Sequence, residues 1–367
     1  MILNEEQRIL QQSMADFFEA EAPIAALRAL RDAPSHLNFD AGLWQQMVEL
    51  GLPALTVPEA YGGVELGWMG LGAICQEAGR RLVASPLIAS AVVAQTVVMH
   101  CASEDQCAEL LPAMVTGELT ASLAVDEGVH FRGLATQCQV VEGRLNGTKR
   151  LVMEGAQVSR LLVVARREDA SLGVVVLDPN APGVTVTPIK LMDGRGYADI
   201  QLREVTVSDA DWLAGDSVEH GLEHALAVGS VALAAEMMGG ARELLERTVA
   251  YLCEREQFGV KIGSFQALQH RCAQLYCDLE LAQSAVDAAL TALDHGGDNI
   301  VALASAAKAM ANDCFQSMSS QAVQLHGGMG VTDEMDIGLF LKRSRVCNQL
   351  LGDADWHRRR FAEAHGF

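Results

Sequence analysis

Residues 268–293, which read LQHRCAQLYCDLELAQSAVDAALTAL, carry apolar side chains at intervals of three and four. The positions are Leu268, Cys272, Leu275, Leu279, Ala282, Val286, Leu290 and Leu293. Because an α-helix turns once every 3.6 residues or so, about one turn per interval, these side chains share one face. The pattern therefore predicts a long helix with one buried stripe, and the glycines Gly296-Gly297 are expected to end it.

The segments on either side of this helix are also helical in pattern. Asp298 can cap a following helix, which is expected to run to about Leu325 and to stop at Gly327-Gly328. At the other end of the chain, residues up to about Glu118 form further helical segments. Their apolar positions recur at helical spacing, first at Ile9, Leu10, Met14, Phe17 and Phe18.

The middle of the chain has a different pattern, because short runs rich in β-branched residues replace the helical spacing. These runs are Gln139–Val141, Leu161–Val164, Gly173–Leu177 and Val184–Thr187. Turn signals separate them, at Glu142-Gly143, Asn146-Gly147, Asp178-Pro179-Asn180 and Pro182-Gly183. We therefore expect three domains: a helical one over 1–118, an antiparallel β domain over 119–213 and a helical one over 214–367.

The composition narrows the function classes. Lys and Arg number 27 against 47 for Asp and Glu, and a net charge of -20 repels nucleic acid and anionic lipid. The nine cysteines form no CxxC pair, so neither a metal site nor a disulfide framework is expected. No apolar run reaches the roughly 20 residues of a membrane span, and the start of the chain lacks a secretory signal. A cytoplasmic protein is expected.

Two segments of the last domain have the residues that a dinucleotide site needs. They are Arg255-Glu256-Gln257-Phe258-Gly259, continuing to Gln269, and Gln324-Leu325-His326-Gly327-Gly328-Met329-Gly330-Val331. A guanidinium can pair with a pyrophosphate, and glycines allow its close approach to the backbone. Phe258 offers an aromatic face, and Gln266 and Gln324 offer amides. Each residue alone also fits an ordinary role, such as an ion pair of Arg255 with Glu254 or Glu256.

Together these segments resemble the acyl-CoA dehydrogenase family, whose members carry an R-x-x-F-G and F-Q-x-x-Q segment and a Q-x-x-G-G-x-G turn. The loop Leu52–Gly63, with its P-E-x-Y-G-G ending, resembles the family as well. The resemblance implies a mainly α fold with a central β domain: an N-terminal helical domain, an antiparallel β-barrel-like domain and a C-terminal four-helix bundle. It also implies α,β-desaturation of an acyl-CoA thioester, FAD as cofactor and an electron-transfer flavoprotein as electron acceptor. The implied FAD-binding residues are Arg255, Phe258, Gln266, Gln324, Leu325, His326, Gly327 and Gly328.

The predicted β domain departs from the family pattern in two places. Family members carry a T-E-P-x-x-G-S-D loop against the flavin, and the stretch Val125–Phe131 lacks the Gly-Ser-Asp. In the next flavin-facing segment, Leu151 stands where the family has a stacking Trp, and Met153 stands where it has a Thr hydroxyl. Two contacts to the flavin ring are therefore expected to be missing.

The catalytic base is also missing from its usual place. Desaturation removes a weakly acidic proton next to the thioester carbonyl, which needs a positioned carboxylate. Leu351 aligns with the usual Glu, and Gly229-Ser230 aligns with the alternative Glu-Arg position. Asp353 is the nearest candidate base, although it also fits a helix cap.

The ending Leu350–Arg359 resembles the small subunits of pimeloyl-CoA dehydrogenase and of steroid-degrading acyl-CoA dehydrogenases that pair two unlike chains. This resemblance implies a β-type subunit of an α2β2 enzyme acting on a dicarboxylic or steroid acyl group. Three alternatives stay open: a homotetramer that uses Asp353 as base, a flavin-dependent monooxygenase on the same scaffold, and a binding protein that has lost FAD.

Overall fold

The computed structural model describes residues 3–33, 39–297 and 299–367, so Asp298 lies outside the described residues. The chain divides into two compact units. One consists of Met1–Ala25, Trp68–Val83 and Ser230–Phe367, and the other of Ala26–Gly67 and Ala84–Gly229. Helices occupy both ends of the chain and a β-sheet its middle, which confirms the predicted fold class.

The helices and strands have the following bounds. The helices are α1 (Glu5–Glu21), α2 (Ile24–Asp32), α3 (Ala41–Glu49), α4 (Trp68–Arg81), α5 (Gln95–Cys101), α6 (Glu104–Val115), α7 (Val218–Glu254), α8 (Gln266–His295), α9 (Ile300–His326), α10 (Ile337–Gln349) and α11 (Ala354–Ala364). The strands are β1 (Ala121–Ala124), β2 (Gln139–Val141), β3 (Arg144–Met153), β4 (Arg160–Arg166), β5 (Leu172–Leu177), β6 (Val184–Lys190), β7 (Gly196–Thr206), β8 (Glu256–Gln257) and β9 (Val260–Lys261). A π-helical segment, Leu87–Ala94, leads directly into α5.

The apolar stripe of residues 268–293 lies on α8, as predicted. Its side chains from Leu275 to Leu293 are buried, whereas Leu268 and Cys272 near the start of the helix are half-buried. The helix ends at His295 and is followed by Gly296 in the left-handed conformation, with φ of +65°. Helix α8 packs on α9, which also contacts α10 and α11. The second predicted stop holds as well, because α9 ends at His326 and Gly327 follows with φ of +60°.

Within the same unit, α4 and residues 230–254 of α7 cross with their backbones in contact. A Cβ atom on Gly79 would lie 1.9 Å from the carbonyl oxygen of Glu236, and one on Gly239 would lie 1.9 Å from that of Gln76. The two glycines therefore permit a crossing that no larger residue allows. A buried ion pair also joins α10 to α7, since Arg343 Nε lies 2.9 Å from Glu236 Oε1.

The other unit holds a seven-stranded sheet with the order β1-β4-β2-β3-β7-β6, and β5 pairs with β4. Strand β4 runs parallel to β1 and to β2, and the remaining pairs are antiparallel. The core beneath it includes Leu145, Leu161, Val163, Ile200 and Trp212. All four predicted strands are present, whereas β1, β3 and β7 were not predicted.

The prediction of a turn at Asn146-Gly147 was wrong, because both residues lie inside β3. The register of β3 against β7 shifts between Leu145 and Gly147, which marks a bulge. A Cβ atom at Gly147 would lie 2.1 Å from Cys138 Sγ. The glycine is therefore required by the close approach of a buried thiol and not by a chain reversal.

Helix α7 is long and apolar enough to cross a membrane by length and composition, and among the described residues it is the only such helix. However, 94% of its most apolar window is buried inside the protein. Burial of this kind is what the core helix of a folded domain shows.

We expect Gly239→Ala to lower the free energy of unfolding by about 3 kcal/mol, because the methyl group would overlap a backbone carbonyl that cannot move alone. Gly338→Ala on α10 is the matched control, since no atom lies within 4 Å of its added Cβ. A helical glycine of that kind should gain about 1 kcal/mol as alanine. Urea unfolding of the two variants measures both values, and equal stabilities would contradict the close crossing.

Candidate cofactor and catalytic site

The two dinucleotide-type segments meet at one end of the helical unit. The rings of Tyr251, on the last turn of α7, and His326, at the end of α9, stack with their centroids 4.3 Å apart. The Tyr251 hydroxyl donates to the carbonyl of His326 at 3.4 Å. Arg255 follows Tyr251 by four residues, and Gly327 follows His326 directly, so this stacking places both segments side by side.

A short hairpin shapes this end of the unit. Strands β8 and β9 pair across a turn in which Phe258 and Gly259 have φ of +56° and +79°. The turn leaves the Phe258 side chain 91% exposed, with its ring 6.3 Å from that of Phe265. Gln266, also exposed, begins α8 immediately afterwards. Val260 and Phe265 are exposed in the same segment, and an exposed group of apolar side chains is typical of a surface that another molecule covers.

Arg255 is exposed, and within the described residues its guanidinium has no hydrogen bond or ion pair. The ordinary alternative, an ion pair with Glu254 or Glu256, is not formed: Glu256 pairs instead with Lys261 at 3.5 Å. Nothing lies within 4 Å of a Cβ atom placed on Gly259, Gly327 or Gly328. A free guanidinium beside open glycine backbone fits a pyrophosphate, so the residues present suit this part of FAD.

The other predicted cofactor-binding residues, Gln324, Leu325 and His326, differ in how far their side chains are buried. Gln324 is exposed on the last turn of α9, in keeping with an amide that contacts a ligand. Leu325 and His326 are buried, and His326 Nδ1 lies 2.8 Å from the carbonyl of Ala322. The side chains of Leu325 and His326 therefore pack inside the unit, and only their backbone lies at the surface turn.

The loop between α10 and α11 contains Leu351, the residue that the sequence analysis aligned with the usual catalytic base. Leu351 and Gly352 both have positive φ, of +57° and +106°, and the Leu351 side chain is buried. Asp353 is the N-cap of α11: its Oδ1 accepts from the backbone N–H of Trp356 at 2.7 Å. The structure thus engages the Asp353 carboxylate in a helix cap.

Two buried polar side chains hydrogen-bond to the backbone carbonyls of the loop between α10 and α11. Lys308 is fully buried, and its Nζ donates to the carbonyls of Cys347 at 2.9 Å and Gly352 at 3.2 Å. His357 Nε2 lies 2.9 Å from the carbonyl of Leu351. Burial lowers the pKa of Lys308 to about 7 and that of His357 to about 3. Sequence reasoning missed Lys308, although a lone lysine among the small apolar residues of α9 was the available signal.

The sheet unit has a polar cluster of its own. Lys149 Nζ, fully buried, donates to Glu127 Oε1 at 2.6 Å and to Thr136 Oγ1 at 3.0 Å. Burial favours the neutral form of Glu127, but these hydrogen bonds outweigh it and lower its pKa to about 2. Burial raises the pKa of the neighbouring Asp126 to about 6. Both carboxyls line a cavity of about 310 Å³, and sequence reasoning assigned neither a role.

Leu151 and Met153, which the sequence analysis aligned with two flavin contacts of the family, lie on β3 in this unit. Leu151 has φ of +51°, and its backbone N–H donates to Asp199 Oδ1 at 3.1 Å. Both Leu151 and Met153 are half-buried and carry no hydrogen-bonding side-chain group. Within the described part of the chain, no cluster of three His, Cys, Asp or Glu could hold a metal, and all nine cysteines are free.

Comparison with known proteins identifies the scaffold. Residues 4–118 match the N-terminal domain of acyl-CoA dehydrogenases, and residues 221–365 match their C-terminal domain. The acyl-CoA dehydrogenase FadE34 of Mycobacterium tuberculosis is 32% identical over 92% of this chain, which spans only 44% of that protein's length. The acyl-CoA dehydrogenase IpdE2 of Mycolicibacterium smegmatis is 28% identical over 95% of this chain and 96% of its own.

A solved structure of a Tcur3481-Tcur3483 steroid ACAD variant superimposes with a TM-score of 0.88 and 29% identity, covering 98% of both chains. The family binds FAD and oxidises acyl-CoA thioesters. With both terminal domains matched and relatives of this kind along the whole chain, the protein belongs to the acyl-CoA dehydrogenase family.

Proposed function

We propose that this chain is the β-type subunit of an α2β2 acyl-CoA dehydrogenase, which completes an FAD site in a partner subunit and leaves the catalytic base to that partner. The observation that carries the proposal is a contrast within the helical unit. Its Arg255 end is open and unpaired, whereas the loop at Leu351 has a buried leucine where a carboxylate is needed.

At the open end, Arg255 would pair with the pyrophosphate, and Gly327 and Gly328 would let the backbone approach it closely. The exposed Phe258 ring would cover an apolar part of the cofactor, and Gln266 and Gln324 would contribute amide hydrogen bonds. Leu325 and His326 would contribute through their backbone, because their side chains are buried. When bound, FAD supplies the chemistry of accepting a hydride from the acyl chain.

The sheet unit also supports the proposal that the partner subunit, and not this chain, binds the flavin ring. Leu151 and Met153 offer no stacking aromatic ring and no hydroxyl for a flavin. A ring held there would lose contacts worth about 1 kcal/mol each, and more where a buried polar atom stayed unpaired. A partner that keeps those contacts can hold the flavin ring while this chain binds the opposite end of the cofactor.

The loop Leu350–Asp353 explains why the base would come from the partner. Leu351 cannot accept a proton, and Asp353 uses its carboxylate to cap α11. Lys308 and His357 hydrogen-bond to the carbonyls of Gly352 and Leu351, and the loop has no carboxylate besides Asp353 that could replace the usual glutamate. Asp353 would serve as base only in the alternative homotetramer.

The comparisons suggest the setting of the reaction. A likeness to a steroid ACAD supports a bulky acyl group such as a steroid side chain, with a dicarboxylic acyl group as the other candidate. FadE34 has more than half its length outside the match, enough for a second unit of the same size.

We further propose an electron-transfer flavoprotein as acceptor, a cytoplasmic location, and domain boundaries at 1–118, 119–213 and 214–367. The strands of the sheet, from Ala121 to Thr206, support those boundaries.

We expect Arg255→Ala to weaken FAD binding in the mixed complex about ten-fold or more, because it removes a charge-assisted hydrogen bond to the pyrophosphate. Flavin absorbance per complex after gel filtration measures the occupancy. Arg8→Ala is the matched control, since Arg8 is an exposed arginine of α1 without a partner among the described residues. Equal FAD content in the two variants would remove Arg255 from the cofactor site.

We expect Asp353→Asn to leave both turnover and stability unchanged, because asparagine also caps a helix. Asp353→Ala should lower the free energy of unfolding by about 1 kcal/mol through loss of the cap. Steady-state dehydrogenation assays and urea unfolding measure the two effects. If the asparagine variant were inactive with its FAD retained, Asp353 would be the base and the homotetramer would replace the present proposal.

A further inference from the structure

The cavity of the sheet unit is lined by side chains of both charges. Its volume of about 310 Å³ lies at the lower end of the range for small-molecule sites. The lining residues that carry a charge or can gain one are Asp126, Glu127, His130, Arg132 and Arg166. Three of them, His130, Arg132 and Arg166, are exposed, so the cavity opens to solvent. A dissolved ligand can therefore reach it.

One of the acidic lining residues, Glu127, is fully engaged within the protein. The Lys149 ammonium donates to Glu127 Oε1 at 2.6 Å and to Thr136 Oγ1 at 3.0 Å. Its third proton is used by the carbonyl of Val125 at 3.2 Å. Glu127 Oε2 accepts in addition from the backbone N–H of Gln137 at 2.7 Å. The two charges of this ion pair cancel, and its hydrogen bonds leave nothing for a ligand.

The other acidic lining residue, Asp126, is not engaged in this way. Within the described residues its carboxyl accepts no hydrogen bond, and Lys149 has no proton left to donate to it. Burial raises the pKa of Asp126 to about 6, against the opposing effect of the Lys149 charge. Asp126 is therefore an unused acceptor in the wall of the cavity.

The cationic lining residues also have unused hydrogen-bonding groups. The Arg132 side chain has no hydrogen bond or ion pair with any described residue. Arg166 Nη1 donates to the carbonyl of Ala170 at 2.9 Å, which leaves the other nitrogens of that guanidinium available. Because the charges of Glu127 and Lys149 cancel, two arginines and one carboxylate remain. The cavity thus has an excess of positive charge in a chain whose net charge is -20.

We propose that this cavity binds inorganic phosphate, with Arg132 and Arg166 holding its oxygens and Asp126 accepting a hydrogen bond from its remaining proton. Guanidinium groups bind phosphate oxygens through charge-assisted hydrogen bonds. Inorganic phosphate still carries a proton at neutral and mildly alkaline pH, so it satisfies an acceptor as well as donors. The volume accommodates the ion together with waters, each of which takes about 30 Å³.

Other anions do not match this combination of groups. Sulfate is fully ionised, and an ionised carboxylate has acceptors only. A phosphate ester loses its second proton with a pKa of about 6, so at pH 8 it has no proton to donate either. Each of these anions would place a negatively charged oxygen against Asp126 without a proton between them, and like charges repel.

This site is independent of the proposed FAD site. All of its residues belong to one compact unit, within Ala84–Gly229. His130 and Arg132 lie in and next to the stretch Val125–Phe131, where this chain lacks the Gly-Ser-Asp of the family's flavin loop. The cationic lining is therefore a feature of this chain's own sequence, and no partner subunit is needed to build it.

Calorimetric titration tests the proposal on the purified chain, with FAD and its partner subunit where these co-purify. The ligands are inorganic phosphate, sulfate and glycerol 3-phosphate, at pH 8 in a buffer free of phosphate and sulfate. We expect phosphate to bind at least about ten-fold more tightly than either of the others, because Asp126 is ionised at that pH and repels an anion without a proton.

Two variants and a matched control assign the binding to this cavity. Arg132→Ala should weaken phosphate binding about ten-fold or more, because it removes a charge-assisted contact. Arg203→Ala, at an exposed arginine of β7 that does not line the cavity, should retain it. Asp126→Asn should abolish the preference for phosphate over sulfate, because an amide can donate to either anion.

Urea unfolding distinguishes a lost site from a misfolded variant. Arg132→Ala should keep the wild-type midpoint, since its side chain is exposed and contacts no described partner. Phosphate and sulfate binding equally to the wild type would overturn the inference, as would tighter binding of glycerol 3-phosphate. So would an Asp126→Asn variant that keeps the preference, or an Arg132→Ala variant that binds phosphate as the wild type does. None of these results bears on the proposed FAD site, which lies in the other unit.

Discussion

The stacking of Tyr251 on His326 is the contact on which the proposed cofactor site depends. It joins the last turn of α7 to the end of α9, two helices whose C-terminal residues are far apart in the sequence. This contact positions the residues that follow each ring in the sequence, which are Arg255 after Tyr251 and Gly327-Gly328 after His326. The two motifs are weak individually, and the geometry makes them one surface with a free guanidinium and open backbone.

In the same unit, the loop Leu350–Asp353 has a defined conformation although Leu351 cannot act as a base. Lys308 donates to the carbonyls of Cys347 and Gly352, so the loop is hydrogen-bonded to a buried side chain of α9. The loop nevertheless presents Leu351, and its one carboxylate, on Asp353, is used in a helix cap. The residues that hold the loop, Lys308 and His357, are not the residues that a catalytic base would occupy. A change at Leu351 or Asp353 can therefore alter the chemistry without removing these contacts.

The sequence predicted the helices well because their burial is one-sided, as the spacing from Leu275 to Leu293 shows. It predicted the strands that are runs of Val and Leu, but not β3, where Asn146-Gly147 has the composition of a turn. It singled out Arg255, Gly327 and Gly328 as candidate cofactor-binding residues by their motif, and their role stays a prediction. The signal for Lys308 was a lone lysine among the small apolar residues of α9, but that signal does not show whether the side chain is exposed or buried with partners, because its partners are distant in the sequence. Leu268 was predicted to be buried and is half-buried, because it lies at the open end of α8.

We propose that this chain binds only part of the cofactor and depends on a second subunit for the rest. Visible absorption in the flavin bands tests it most directly, measured on the chain purified alone and again after co-expression with its genomic neighbour. The account predicts a nearly colourless chain alone and a yellow complex that contains both polypeptides in equal amounts. Full, tightly bound FAD in the isolated homo-oligomer would contradict it.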